Sequence, residues 1–495
     1  MSLIQSFPFF TVMITLFGGV ISLAFGPKAA RRLCVFLIFV SCVMSFVLLE
    51  YCLNTGKSFP YMMGHFPAPF GNEIRAGAFE ALFAFGFSVV MLLSLMGGMD
   101  GILSDVPKKK QNLFFLMMNL LFCSLLALIY TNDIFTAYVF VEINTIAACA
   151  IVMGKETGET VVATIHYLIM SLIGSGLFLI AISMLYDLTG HLLFPNMYEG
   201  IQAIMTAGEY MLPMIIIIGL MAVGLGVKSA LYPFHSWLPD AHGSATTAAS
   251  SILSGLVLKG YIVLLIKLLY RVFGPETLSR INVFNVLFVL GLLGMIIGSI
   301  LALKENNIKR MIAYSSVAQI GYIFMGIGMG SMVGMVAALF HVFSHAVTKP
   351  LLFTTAGGLI KVSGGHKDYA SLRGAAWRDP LAGFGFAVGA LSMIGLPLFS
   401  GFISKFYFAV ASFQNPSETV AVLLVLALSM ILNAMYYIPA VASIYSRAPG
   451  DLYEKPAWYS RLYVASVSAF VILNFMLGIF PERIIHIIEA GLKVL

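Results

Sequence analysis

The chain is short of charge. Only 10% of its 495 residues are Asp, Glu, Lys or Arg, against roughly 25% in a soluble domain. Hydrophobic residues make up 60%, and the mean hydropathy is +0.96. One compact core cannot hide that much apolar side chain from water. A bilayer can, and apolar runs of about 20 residues recur along nearly the whole chain. Cysteine is scarce too. Cys34, Cys42, Cys52, Cys123 and Cys149 all fall in apolar runs, without CxxC or Cys/His spacing, so no disulfide framework, zinc or iron–sulfur site is expected. Period-two alternation is absent, and lipid admits only helices or closed barrels, so strands are not expected. There is no soluble linker, no low-complexity tract and no solenoid period. A cofactor-binding motif is missing as well, so the expected cofactor list is empty.

What is present reads as an all-α polytopic membrane protein of about fourteen spanning helices. The spans fall near 7–25, 33–53, 78–99, 113–130, 133–153, 161–186, 211–230, 246–270, 284–303, 309–330, 332–358, 381–413, 418–446 and 459–480. The first is taken as a span and not as a cleavable signal, since it lacks a basic leader and another span follows almost at once. With the N-terminus outside, 17 Lys and Arg fall in cytoplasmic connections, among them Lys155, Lys309, Lys361, Lys367, Arg447 and Lys455. The opposite face holds 6, and the remaining 5 of 28 lie inside spans. Losing or gaining one span midway would scramble this positive-inside asymmetry, so both termini are placed outside the cell membrane. The net charge of +6 is scattered over short loops, a pattern that orients a membrane protein better than it grips nucleic acid.

Against this apolar background a few charges stand out. Each costs roughly 2.5–3.5 kcal/mol at the bilayer centre, so each needs a reason. The deep set is Glu142, His166, Lys228, Lys259, His341, His345, Lys349 and Lys405, with Glu80 and Lys267 nearer helix ends. These groups are expected to face the bundle interior, pair with one another and keep some water. Glu142, in DIFTAYVFVEINTIAACAIVM, reads either as a structural ion pair or as a carboxylate that controls the charge of a lysine. Burial disfavours a charged amine and a nearby carboxylate favours it, so moving the two apart ejects a proton. The deep set holds four lysines and no arginine, which suits proton exchange, because arginine does not deprotonate.

His341, His345 and Lys349 stand four apart in LFHVFSHAVTKPLLF, on one helix face. Histidine titrates near pH 6.5, so the stripe reads as a proton relay, or more weakly as part of a metal site lacking its third ligand. YPFHSWLPDAHGSATTA offers His235, Asp240 and His242 but no nucleophile elbow or HExxH. It reads as a re-entrant or capping loop. KENNIKRMIAYSS reads as a cytoplasmic loop running into the next helix.

Two spans are interrupted and carry a lysine at the break. One runs through Gly224, Gly226, Lys228 and Pro233, the other through Gly395, Pro397, Ser400, Gly401 and Lys405. Paired broken helices point to an inverted-repeat transporter with its ion site at the breaks.

FVEINT, VKSALYPFHSWLPDAH, SGLVLKGY, KRMIAYSSVAQIGY, HVFSHAVTKPLLF and GLPLFSGFISKF, in this order over roughly residues 75–445, resemble the antiporter-like subunits of respiratory complex I, Mrp-type cation/proton antiporters and membrane-bound hydrogenases. The resemblance implies fourteen helices with inverted five-helix repeats and broken seventh and twelfth helices. It also implies a hydrophilic axis through Glu142, Lys228, Lys259 and Lys405. The segments are then 1–110, a first repeat 111–270, a second repeat 271–446 and a C-terminal helix and tail 447–495. The family's sixth helix commonly carries a lysine where this chain has His166 in TIHYLIM. The partner of Glu142 on that helix is therefore either missing or one that titrates near neutral pH. Thr246 and Ala248 stand where prolines are common. One complex I subunit type has glutamate at the position of Lys405, and the stretch after the last span is short. Both features make the D-type subunit of an Mrp antiporter, or its hydrogenase counterpart, the nearest match.

The expected function is proton or Na⁺/H⁺ translocation within a larger membrane complex. Its partners would be other membrane subunits, with electron transfer confined to a hydrogenase or dehydrogenase arm. The rival readings are a self-sufficient antiporter, a membrane enzyme acting on quinone or lipid, and a scaffold. The enzyme would need a clustered acid/base or metal site at a lipid portal, and four buried lysines argue against the scaffold.

Overall fold

The computed structural model describes residues 3–66, 72–446 and 460–493. Arg447 and Lys455, counted among the cytoplasmic cations, and the first residue of the last expected span lie outside the described residues. Among those described, thirteen helices are long and apolar enough to cross a membrane. The expected span 381–413 instead consists of two shorter helices, Pro380–Ile394 and Ser400–Ser412. The chain is an all-helical multi-pass membrane protein with one small exception. Phe59–Met62 pairs antiparallel with Glu73–Ala76, a two-stranded hairpin where no strand was expected. It lies in the connection between two spans, so the rule that forbids open strand edges in hydrocarbon does not reach it.

Helix ends are set by short polar side chains that accept otherwise orphaned backbone N–H groups. Asp133 caps Ile134–Val152 by accepting from Thr136 N at 2.7 Å. Asn307 caps Ile308–Gly328 by accepting from Lys309 N at 3.0 Å. Asp379 caps Pro380–Ile394 by accepting from Ala382 N at 2.8 Å.

The bundle has an inside and an outside. In Thr247–Phe273 and Met332–Val362 the whole apolar stretch is buried, and in Ile308–Gly328 94% of it is. Pro416–Tyr445 and Arg461–Ile479 bury only 28% and turn large apolar side chains such as Leu424, Ile431 and Ile472 outward. The inner helices approach closely because small residues line their contacts. Val283–Leu303 lies against Ile308–Gly328 so closely that a Cβ on Gly298 would meet Ala318 N at 2.6 Å, and one on Gly321 would meet Gly291 O at 2.6 Å. Lys259, His341, His345 and Lys349 are all carried by the inner helices.

Two helices stop in mid-bundle. Met211–Lys228 ends at its lysine, and the chain continues irregularly into the short helix Trp237–Ser244. Trp237 fixes this turn, donating its indole N–H to Val227 O at 3.1 Å and stacking on Tyr167 at 4.2 Å. Pro380–Ile394 ends at Gly395 with φ +97°, and Leu398 has φ +78° before Ser400–Ser412 begins. A third helix is continuous but irregular. Thr247–Phe273 carries π-turns at Leu253–Val257 and Leu269–Phe273, which displace backbone carbonyls from the regular ladder.

Candidate functional site

The first break gathers a carboxylate and an amine. Lys228 Nζ donates to Thr145 Oγ1 at 2.5 Å and lies 3.7 Å from Glu142 Oε1. The lysine side chain is 1% exposed and the glutamate 24%, so one member of the pair is sealed in and the other looks toward the margin. Ile134–Val152 supplies both Glu142 and Thr145, one turn apart. Toward the interior, Lys228 Nζ lies 5.8 Å from the centre of the Tyr261 ring. Tyr261 donates to Asn144 at 3.1 Å, and Asn144 to Ser124 at 2.9 Å.

Lys259, on the same helix as Tyr261, is fully buried. Its ammonium donates to the carbonyl of Ser254, within the π-turn Leu253–Val257. The Ser254 hydroxyl meets that of Ser316 at 2.9 Å. Ser315, the next residue back, bonds the Lys349 ammonium and, at 2.8 Å, the Tyr437 hydroxyl. Lys349 also donates to Ile312 O at 2.9 Å. The Ser315–Ser316 pair therefore bridges the surroundings of two lysines on different helices.

His341 and His345 lie ring over ring, 6.1 Å between centres and 8° from parallel. His341 Nδ1 is 2.8 Å from Ser404 Oγ. Neither nitrogen of His345 has a protein partner, nor does Nε2 of His341 or either side-chain polar atom of Gln319. Lys405 closes the series. Its ammonium donates to Met393 O at 2.6 Å and Ile394 O at 2.7 Å, the last carbonyls of the helix before the second break. A Cβ at Gly395 would stand 2.7 Å from Lys405 Cδ and 2.9 Å from its Nζ. Only glycine leaves room for this reach, and only glycine accepts that φ without strain.

Some expectations need correcting. The deep charges were expected to pair with one another, but only Lys228 does so. Glu80 and Asp379 are the fully buried carboxylates among the described residues, and Glu80 pairs with Arg271. Lys259 and Lys405 instead take carbonyl oxygens at a π-turn and a helix break, and Lys349 takes one on an adjacent helix. Displaced carbonyls supply the negative potential that a carboxylate would, without a second buried charge. His166 is not in the buried axis. Its side chain is 38% exposed and lies 3.5 Å from Asp240 and 3.5 Å from Ser236. Asp240 is held in turn by Arg310 at 2.5 Å. Glu80 and Lys267 are structural. Glu80 accepts from Gly77 N at 2.9 Å, and Lys267 donates to Ile129 O and Thr131 O at 2.7 and 2.6 Å. Severing a buried pair such as Glu80–Arg271 costs about 3–5 kcal/mol.

Sequence reading missed Ser315, Ser316 and Tyr437, passing over the first two as part of a loop and its following helix, and also Asn433, which donates to Met393 O at 3.2 Å beside Lys405. A signal was present: adjacent serines and an Asn-x-x-Tyr-Tyr run inside otherwise apolar spans.

Residues 131–431 match the family model described as NADH:quinone oxidoreductase/Mrp antiporter, TM. The chain belongs to this family. It is 30% identical over 466 residues to the N-type subunit of the NADH-quinone oxidoreductase of Desulforudis audaxviator, covering 90% of each chain. It is 24% identical over 462 residues to the D-type subunit of the Na(+)/H(+) antiporter of Bacillus subtilis, covering 92% of this chain and 90% of that one. The fold superposes on a chain of the Mrp complex from Dietzia sp. DQ12-45-1b with a TM-score of 0.88 and 20% identity, over 99% and 97% of the two chains.

Proposed function

We propose that the chain is the proton-translocating, antiporter-like subunit of a multi-subunit cell-membrane complex of the Mrp or respiratory type. The observation that carries this reading is the Glu142–Lys228 contact: a sealed ammonium 3.7 Å from a partly exposed carboxylate, at the end of a broken helix. A movement that parts them removes the charge that stabilises the ammonium, and burial then favours proton release. The released proton has polar groups to follow: Tyr261, Lys259, Ser254–Ser316, Ser315 with Lys349, the His345–His341 pair, Ser404 and Lys405. The inner part of this axis carries three lysines held by carbonyls, so it repels a bare cation such as Na⁺ but passes protons between titratable groups. Na⁺ exchange, where it occurs, belongs to the outer part around Glu142.

In this reading the segments 111–270 and 271–446 are inverted counterparts, each with one broken helix and its lysine, and both termini face outward. The relatives are named as subunits, which supports partners in the membrane and leaves any redox chemistry to them. Glu142→Ala and Lys228→Ala should each abolish most proton uptake by inside-out vesicles while co-purifying subunits stay attached. Normal uptake by either assembled variant would sink the reading.

A further inference from the structure

Between the ends of several helices, at the lysine-rich end of the bundle, lies a cavity of about 420 Å³. That is room for several waters. Four lysines, Lys155, Lys309, Lys361 and Lys367, and three aspartates line the cavity, together with Thr247 and Thr354. Three of these lysines are engaged: Lys155 pairs with Asp105 at 2.7 Å, Lys309 donates to Ala245 O at 2.6 Å and Lys367 to Gly243 O at 2.8 Å. None of these residues belongs to the axis described above.

The base of the cavity is what gives it a role. Thr354 is 1% exposed, and its hydroxyl lies 3.2 Å from that of Ser251. Ser251 also donates to Thr247 O at 3.0 Å. Thr247, Ser251 and Ser254 stand four and three apart on Thr247–Phe273, so they share one face. Ser254 is the residue whose carbonyl holds the Lys259 ammonium and whose hydroxyl meets Ser316 at 2.9 Å. The step from Ser251 to Ser254 is one helical turn, about 5–6 Å, which one bridging water spans. A file of hydroxyls on one helix face therefore points from this open cavity toward the central lysine, with one gap between Ser251 and Ser254.

We infer that this cavity is a water-filled inlet that delivers hydrated protons from the lysine-rich side directly to Lys259, through Thr354, Ser251 and Ser254. The inference rests on the conduction reading: the inlet supplies protons to Lys259, while the Glu142–Lys228 contact still drives their onward movement. The proton moves by exchange along hydroxyls and water, so no bond to carbon changes and no co-reactant is needed.

Two independent arms test it in inside-out vesicles that retain the partner subunits. Thr354→Val keeps the shape and removes the hydroxyl, so proton uptake should fall roughly fivefold or more, and Thr354→Ser should restore it. The second arm places a thiol at the mouth. A Cβ on Gly101 would meet Thr247 no closer than 3.9 Å, so Gly101→Cys is accommodated, and none of the five native cysteines lines the cavity. A positively charged methanethiosulfonate added to the bath should label that thiol and block uptake, while the unlabelled variant transports normally. A thiol that water-borne reagent cannot reach, labelling without loss, or normal uptake by Thr354→Val overturns the inlet. Each leaves the conduction reading intact so long as Glu142→Ala and Lys228→Ala still fail. If those two transport normally, the conduction reading falls first.

Discussion

At the first break, Lys228 ends its helix facing Glu142 at 3.7 Å. At the second, Lys405 follows the break and reaches back to Met393 O and Ile394 O at 2.6 and 2.7 Å. Both solve the same problem, an ammonium in low dielectric, with different partners. A carboxylate gives a strong, separable charge, so the lysine's proton affinity depends on whether one side chain moves. Helix-end carbonyls give a weaker potential fixed to the backbone, so the lysine's environment changes only if the break itself changes. The first break is thus suited to switching and the second to steady exchange with the water beyond it. Tyr322 completes the second site, its ring centre 5.4 Å from Lys405 Nζ.

The comparison breaks most sharply at Lys405. If it exchanges protons, Lys405→Ala should reduce vesicle proton uptake on the order of a hundredfold, and Lys405→Arg should fail almost as badly, because arginine holds its proton at any physiological pH. Recovery with arginine would assign the residue to capping the broken helix alone.

A smaller effect follows from giving Lys349 a carboxylate partner of its own. Ser315 bonds the Lys349 ammonium, so Ser315→Asp places an anion against it. The carboxylate favours the charged amine, so proton release is held back and uptake should fall roughly tenfold at neutral pH, one pH unit of proton affinity. It should recover as the medium is made alkaline. Ser315→Asn, without the charge, should show no such alkaline recovery. A flat response to pH in the Asp variant would mean that Lys349 does not exchange protons.

The least effect is expected at His166, which lies by Asp240 and outside the axis. His166→Lys restores the commoner family residue and keeps a cation next to Asp240, so uptake should stay within about twofold, as for other exposed pairs. A large loss would return His166 to the path.

Much of this was legible early. Long apolar runs and scattered charge required a multi-pass helical bundle, because in lipid the backbone must satisfy its own hydrogen bonds. Charges in such runs are too costly to be accidental, and that singled out Glu142, Lys228, Lys259, Lys349 and Lys405. The two breaks could be read too, since Gly and Pro beside a lysine mark where a helix cannot continue.

What each lysine pairs with was decided only in three dimensions. Nothing in SGLVLKGY states that a π-turn at Leu253–Val257 releases the Ser254 carbonyl to Lys259. Hydroxyls are equally silent. Ser315, Ser316 and Tyr437 cost little in an apolar helix when they find a nearby hydrogen-bond partner, so their presence carries no warning, and their roles arise only where packing brings them to a charge. His166 shows the converse. Its sequence position in a span suggested depth, but rotation of the helix placed it at the margin with Asp240. Sequence sets the cost of burying a group, which is local chemistry. The partner that offsets that cost is a matter of which helix faces which, and only the tertiary structure decides that.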